Sequence, residues 1–341
     1  MNPLKVAVLG ITGAVGQEFL TLLDERKFPV AELRLLASAR SAGQKVKFRG
    51  ETLTIQEAKA DSFNGIDVVL SSAGGSVSKQ LAPAAVKAGA LVVDNTSAFR
   101  MDPEVPLVVP EINPEDIAKH KGIIANPNCS TIIMLVPVNP LRQIAKIKKM
   151  VVSTYQSASG AGAKAMMELE TQSREILEGK KPTKNVFPHQ IAFNLFSHNS
   201  AVDVETGFNE EETKMMKETA KIFHEAVPVI PTCVRVPVMR AHSESIWVEF
   251  DREVSLKEVQ QALEKAPGLR LVDDRKANLF PMPIDASGKD DILVGRLRKD
   301  PSNPKAISLF VSGDQLRKGA ALNAVQIAEI AFQTKLQPAK R

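Results

Sequence analysis

Cysteine is scarce in this chain: Cys129 and Cys233 are its only two. One pair cannot make a disulfide framework, so the fold must rest on its core, and a reduced, cytoplasmic setting is expected. Tryptophan and tyrosine are nearly missing, with one of each, and there is no basic arm with interleaved aromatics. That excludes the usual nucleic-acid binders. No run approaches the ~18 apolar residues that cross a membrane. Met1-Asn2-Pro3-Leu4-Lys5-Val6 shows neither basic leader nor apolar signal segment, so direct entry into a strand is expected. His120, His189, His198, His224 and His242 have no ligand-like spacing with one another or with the cysteines, and no metal is expected.

What remains is a globular composition. The 341 residues are 44% hydrophobic and 24% charged, with a net charge of +5 scattered among acids. That length suggests two domains, and the charge suits small anionic ligands. At the N-terminus, the apolar run Lys5-Val6-Ala7-Val8-Leu9 leads into Gly10-Ile11-Thr12-Gly13-Ala14-Val15-Gly16 and then an amphipathic helix to about Leu23. Strand, glycine turn and helix in that order let the backbone approach a pyrophosphate seated on the helix N-terminus. The spacing is GxxGxxG rather than GxGxxG, so the context carries the argument. The second strand, Glu32 to Ala37, ends in Ser38-Ala39-Arg40-Ser41, where an acid would be expected for a free ribose 2′-OH. An arginine between two serines suits a 2′-phosphate, which points to NADP rather than NAD. Strands at Asp67 to Leu70 and Ala90 to Asp94 alternate with a helix ending near Ala88, the pattern of a doubly wound parallel sheet. Arg100 lies past a strand's carboxyl end, where such sheets hold ligands, as a candidate anion clamp.

The chemistry is expected at Asn126-Pro127-Asn128-Cys129-Ser130-Thr131, a polar segment between a short strand and a helix. It puts Cys129 at a helix start, with Asn128 or Ser130 able to cap. Helix N-termini favour thiolates and offer N–H groups to an oxyanion. From there the pattern changes: a strand from Lys149 to Gln156, a small-residue loop Ser157 to Gly162, and a helix from Lys164 to Leu177. Strands of the Val227 to Val238 and Ser245 to Phe250 type read as antiparallel or mixed, and a final helix covers Lys318 to Gln333. Glu211 and Lys214 share one helix face, as many surface ion pairs do. Arg235 lies inside an apolar strand, where it needs a carboxylate of the protein or of a ligand, and His242 follows as a base near a thiol or a structural histidine.

Asn126 to Thr131, Gln156-Ser157-Ala158-Ser159-Gly160, and Arg235 through His242-Ser243-Glu244-Ser245 together resemble the bacterial aspartate-β-semialdehyde dehydrogenases, along the whole chain. The resemblance implies reduction of L-aspartyl-4-phosphate to L-aspartate-4-semialdehyde by NADPH with release of inorganic phosphate, on the route to lysine (through diaminopimelate), threonine and methionine. It implies an α/β architecture: a Rossmann-like doubly wound parallel sheet in a NADP-binding domain, 1–128, joined by a C-terminal helix of about 316–341. The catalytic and dimerisation domain, 129–315, would be α+β with a mixed or antiparallel sheet. Cys129 would be the acyl-thioester nucleophile, assisted by Asn128, and His242 the acid/base group. Gln156 would position the substrate, Arg235 bind its α-carboxylate and Glu211 sit near its amino group, with Arg100 and Lys214 for phosphate. Gly10, Thr12, Gly13, Ala14, Val15, Ser38, Arg40, Ser41, Ser159 and Gly160 would contact NADP. Relatives commonly carry Asn where Gln315 stands, and its longer amide would reach a nicotinamide carboxamide. A homodimer or homotetramer is implied. Two other readings stay open: an N-acetyl-γ-glutamyl-phosphate reductase using the same thiol logic, and a non-catalytic NADP-binding redox sensor.

Overall fold

The computed structural model describes residues 2–333. They divide into two compact units, one holding the chain up to Asn128 and again from Ala320, the other Cys129–Gly319. The part of the expected C-terminal segment numbered 334–341 lies outside the described residues.

The first unit contains β1 (Leu4–Leu9), β2 (Val30–Ala37), β3 (Lys45–Phe48), β4 (Glu51–Thr54), β5 (Gln56–Glu57), β6 (Val68–Ser71), β7 (Leu91–Asp94) and β8 (Ile123–Ala125). Six of these form a parallel sheet in the order β5-β2-β1-β6-β7-β8, while β3 and β4 pair as a separate hairpin. The central strands are apolar throughout because both faces are covered. Val6, Val8, Leu70 and Val93 pack with Phe19, Leu22 and Leu23 of α1 (Ala14–Glu25) and with Val325 and Ala328 of the closing helix, Leu322–Gln333. Ala7, Leu9, Val69 and Val92 pack on the other side with Leu81, Ala82 and Ala85 of α2 (Gly75–Lys87). Arg26 forks onto the Glu329 carboxylate at 2.8 and 2.6 Å, fastening the closing helix to the end of α1.

The second unit begins with α3 (Cys129–Arg142), β9 (Ile147–Gln156), α4 (Ala163–Leu177), β10 (Phe196–Ser197), α5 (Glu210–Phe223) and β11 (Val229–Arg235). It continues with β12 (His242–Phe250), α6 (Leu256–Lys265), β13 (Leu269–Leu271), α7 (Pro283–Ala286), β14 (Ile292–Lys299) and β15 (Ala306–Gly313). Its seven strands make one mixed sheet, β10-β11-β9-β12-β15-β14-β13. Alternation sets the faces. Met150, Val152, Ile246 and Val248 are buried on the face that α3 packs against, whereas Val151, Tyr155 and Ile230 are exposed on the other.

Some boundaries differ from the expected ones. The strand expected from Ser245 starts at His242, because β12 pairs with β15 up to Gly313. Arg317–Ala321 is a π-helical turn, and the regular final helix begins only at Leu322. The strands β13 to β15 were not foreseen. A bulge at Gly295 to Arg298, with Arg296 at φ 53°, breaks the two-residue period by which β14 would be recognised.

Candidate active site

In the second unit, register brings three polar side chains into one row on the α3-facing side. Arg235 on β11 pairs with Gln156 on β9. Ser243 on β12 pairs with Tyr155, so one further step sets His242 beside Gln156. All three are buried, with His242 wholly so. Cys129, the first residue of α3, is half-buried, and Gly319 packs against it: a Cβ on Gly319 would stand 3.0 Å from the Cβ of Cys129.

Each polar group is aimed. Arg235 Nη1 donates to Ser157 O at 2.8 Å, and Nη2 meets His198 Nε2 at 2.8 Å. Its Nε is buried without a partner. Burial lowers the Arg235 pKa, and negative charge on Cys129 and Glu211 opposes that shift. Gln156 Nε2 donates to Thr154 Oγ1 at 3.2 Å and to Glu211 Oε1 at 3.5 Å. Lys214 donates to the other Glu211 oxygen at 3.4 Å. The capping box of Asn209 and Glu212 starts α5 here, which puts Glu211 and Lys214 in its first turns. His242 Nδ1 receives the Ser157 N–H at 3.0 Å, while its Nε2 is buried with no partner. Burial, then the charges of Arg235 and His198, hold His242 well below the usual histidine pKa. A Cβ on Gly160 would lie 2.9 Å from His242 Cε1 and 3.1 Å from Arg235 Nη1, so this glycine lets ring and guanidinium lie side by side.

Three contributors escaped sequence reasoning. His198 comes from a loop with no periodic signal, and β10, paired with β11, delivers it to Arg235. Burial pushes its pKa down to about 4, so its Nε2 is free to accept from Arg235. Ser157 contacts both Arg235 and His242. Glu244, one row below His242, is fully buried with both carboxyl oxygens unpartnered, and burial and then Glu211 push its pKa well up. Gln315 is also engaged inside the protein: its Oε1 accepts from Ala241 N–H at 2.9 Å, and its Nε2 donates to Ser159 Oγ. Asp314, buried beside it, accepts from Arg240 Nε at 2.7 Å and from Leu316 N–H at 2.9 Å.

The first unit carries the remaining expected residues. Gly10 has φ +91°, and a Cβ there would lie 2.8 Å from Ala73 N; one on Gly16 would meet Gly10 O at 2.3 Å. Gly13 caps α1 without a side-chain bond, and no acid stands in the first turn, so the positive end of the helix is open to an anion. Ser38 and Arg40 are exposed and Ser41 is buried in the 3-10 turn after β2. At the carboxyl ends of β6 and β7, Ser72 Oγ and Asn95 Oδ1 are buried without partners, polar atoms fit for a bound ligand. Arg100 is buried and donates from Nε to Asn126 O at 2.9 Å and from Nη2 to Asn95 O at 2.8 Å, bracing the segment before Cys129. Asn323 Nδ2 holds the Asn126 side chain at 2.7 Å. No group of three or more His, Cys, Asp or Glu that could hold a metal ion occurs among the described residues.

A half-buried thiol at a helix start, in the same unit as a buried arginine and a buried imidazole, together with a second unit that carries an open glycine-turn helix, defines a class: dehydrogenases that work through a cysteine. Two family models match in that order, "Semialdehyde dehydrogenase, NAD binding domain" over residues 5–120 and "Semialdehyde dehydrogenase, dimerisation domain" over residues 138–318. An aspartate-semialdehyde dehydrogenase from Synechocystis is 58% identical, covering 97% of this chain and 98% of its own. The solved aspartate semialdehyde dehydrogenase II of Vibrio cholerae, complexed with ASA, is 45% identical with a TM-score of 0.95, over 98% of this chain and 99% of that one. The Candida albicans enzyme solved with NADP is 26% identical with a TM-score of 0.76, over 98% and 100%. The chain belongs to the aspartate-semialdehyde dehydrogenase family.

Proposed function

We propose that this protein reduces L-aspartyl-4-phosphate to L-aspartate-4-semialdehyde with NADPH, releasing inorganic phosphate. The observation that carries this reading is the row Arg235–Gln156–His242 in the same unit as a helix-starting Cys129. Cys129 attacks the acyl carbon and holds the aspartyl group as a thioester. Arg235, whose Nε is unspent, takes the α-carboxylate, for which its planar fork is suited. Glu211 takes the α-ammonium, and Gln156, already bonded to it, orients the acyl carbon. Asn128, the residue before the nucleophile, is proposed to assist it at the start of α3, where the helix N–H groups can meet the oxyanion. Phosphate leaves as an anion needing little proton but strong charge, which Lys214 offers in its unit and Arg100 in its own.

The dinucleotide is proposed to lie on the first unit, with its pyrophosphate on Gly10, Thr12, Gly13, Ala14 and Val15 at the α1 N-terminus. Ser38, Arg40 and Ser41 favour NADP, since Arg40 is exposed in the turn after β2 and can meet a 2′-phosphate. Ser159 and Gly160 are proposed to face the same cofactor. When bound, the nicotinamide supplies the hydride that reduces the thioester. For Gln315, whose amide is held by Ala241 and Ser159, we propose a positioning role in place of a nicotinamide contact. A homodimer formed through the outer sheet face of the second unit is proposed, supported by exposed Val151, Tyr155 and Ile230. With neither cysteine in a disulfide among the described residues, a cytoplasmic setting fits.

The deciding assay runs in the oxidative direction, with aspartate semialdehyde, phosphate, and NADP or NAD in parallel. Phosphate-dependent reduction that favours NADP is expected. In the other direction, preference for N-acetyl-γ-glutamyl phosphate would replace this substrate, and cofactor binding without turnover would leave only a sensor.

A further inference from the structure

Resting on that reaction, we propose that Glu168 and Gln172 of α4 are positioning residues for the α-carboxylate clamp. They hold the irregular segment after α4 so that Phe187 lies against the Arg235 guanidinium, and that contact sets how tightly the substrate carboxylate is bound.

From 178 to 195 the chain runs between α4 and β10 without helix or strand. So long an irregular stretch is uncommon in a compact unit, and its backbone groups need partners. Here α4 supplies them. Three successive N–H groups converge on the Glu168 carboxylate: Asn185 and Val186 on Oε2, the former at 2.6 Å, and Phe187 on Oε1 at 3.0 Å. Adjacent N–H groups around one anion form a nest, and the charge makes each bond stronger than a neutral one. One turn further along α4, Gln172 donates to Thr183 O at 2.8 Å and accepts from Ile191 N–H at 2.9 Å and Ala192 N–H at 3.2 Å. Both side chains are buried, Gln172 wholly.

What these bonds fix is Phe187, which is buried with Ala158, Leu169 and Ile191 in a small core of its own. Its ring centroid lies 5.5 Å from Arg235 Cζ, within cation–π reach, and 5.8 Å from the Phe196 ring, edge-on. Phe196 pairs with Arg235 across β10 and β11, so the segment meets the arginine a second time where it ends. Around the guanidinium, Ser157 O holds Nη1, His198 Nε2 meets Nη2, and the Phe187 ring flanks the group. The fork is thereby oriented and shielded from water while its Nε is left unspent. A carboxylate arriving there pairs with a cation already desolvated and fixed, so little freedom is lost on binding. The α-carboxylate is held alike before and during bond-making at the acyl carbon, so its clamp governs KM and not kcat.

The test reads Arg235 directly, in ¹H–¹⁵N spectra of the full chain labelled at arginine, with the Arg235 Nε–H signal assigned by its loss in Arg235→Lys. Glu168→Gln keeps the shape but turns one of the two acceptors into a donor facing backbone N–H. It is expected to move the Nε–H signal in the same direction as Phe187→Leu, which removes the ring current outright. A signal left in place by Glu168→Gln would overturn the proposal. In the oxidative assay both variants are expected to raise KM for aspartate semialdehyde about tenfold, the scale of a desolvated cation–π contact. Their kcat, and KM for phosphate and NADP, should stay within about twofold of wild type. An unchanged KM for the semialdehyde would overturn the proposal. So would a matching fall in kcat, or a rise in all three KM values together, which would reduce Glu168 to general support of the fold. Phe187→Leu leaves the Glu168 bonds in place and carries the test by itself if Glu168→Gln does not fold. If the Arg235 signal moves as stated and the wild-type protein fails to reduce aspartyl phosphate, the assigned reaction falls and the link from Glu168 to Arg235 stands.

Discussion

A methyl group on Gly160, in the 3-10 turn Ala158–Ala161, would stand 2.9 Å from the His242 ring and 3.1 Å from the Arg235 guanidinium. Gly160→Ala is therefore expected to lower kcat/KM by about tenfold to a hundredfold, since a displacement near 1 Å at reacting groups costs that much. The melting temperature should hardly move; equal kinetics would show that ring and guanidinium yield freely. Cys129→Ser should lower turnover by about a thousandfold or more and leave NADPH titration intact. Near-normal turnover would remove the thioester from the scheme. Glu244 offers a test that does not involve rate. Its folded pKa lies above the ordinary 4.5, so the folded state holds the proton more tightly. Stability from this group is then complete below about pH 4.5 and declines as pH rises toward the folded pKa. Glu244→Gln, a stand-in for the protonated acid, is expected to melt higher than wild type at pH 8 and alike at pH 4. Coincident melting curves at pH 8 would show that the carboxyl ionises in place at no cost.

At the level of single elements, the α1 turn is the most constrained. Gly16 approaches the Gly10 carbonyl so closely that a Cβ would sit 2.3 Å from it, against backbone that cannot swing away. Gly16→Ala is expected to cost about 1–3 kcal/mol of stability by overpacking and to weaken NADPH binding together with it. A denaturation midpoint equal to wild type would contradict the packing described. Strand, glycine turn and helix could be read from composition because the conformational demand is local: only glycine meets it. The thiol at the head of α3 was legible for a similar reason, as a polar segment set before an apolar helix. His198, Ser157 and Glu244 were not. His198 reaches Arg235 only because β10 pairs antiparallel with β11, and Glu244 lies under His242 only through the β12 register. Nothing along the chain records which residues face one another across strands.

In the molecule as a whole, the sheet of the second unit has one face against α3 and another that exposes Val151, Tyr155 and Ile230. Ile230→Lys together with Tyr155→Lys is expected to reduce the sedimentation mass to that of a monomer, because two charges would have to be buried in a sheet-to-sheet contact. An unchanged mass would move the dimer interface elsewhere. The two-unit organisation, the NAD(P)-binding unit and the place of Cys129 at a helix start were accessible from residue order, since each depends on short-range patterns: alternating strands and helices, a glycine turn, a polar segment before an apolar helix. The internal wiring of the site was not. How the His242 ring is held, and how Gln315 is occupied, follow from hydrogen bonds between residues 85 and 156 positions apart. Contacts of that length exist only once strands have paired, and that pairing sets which chemistry each side chain can perform.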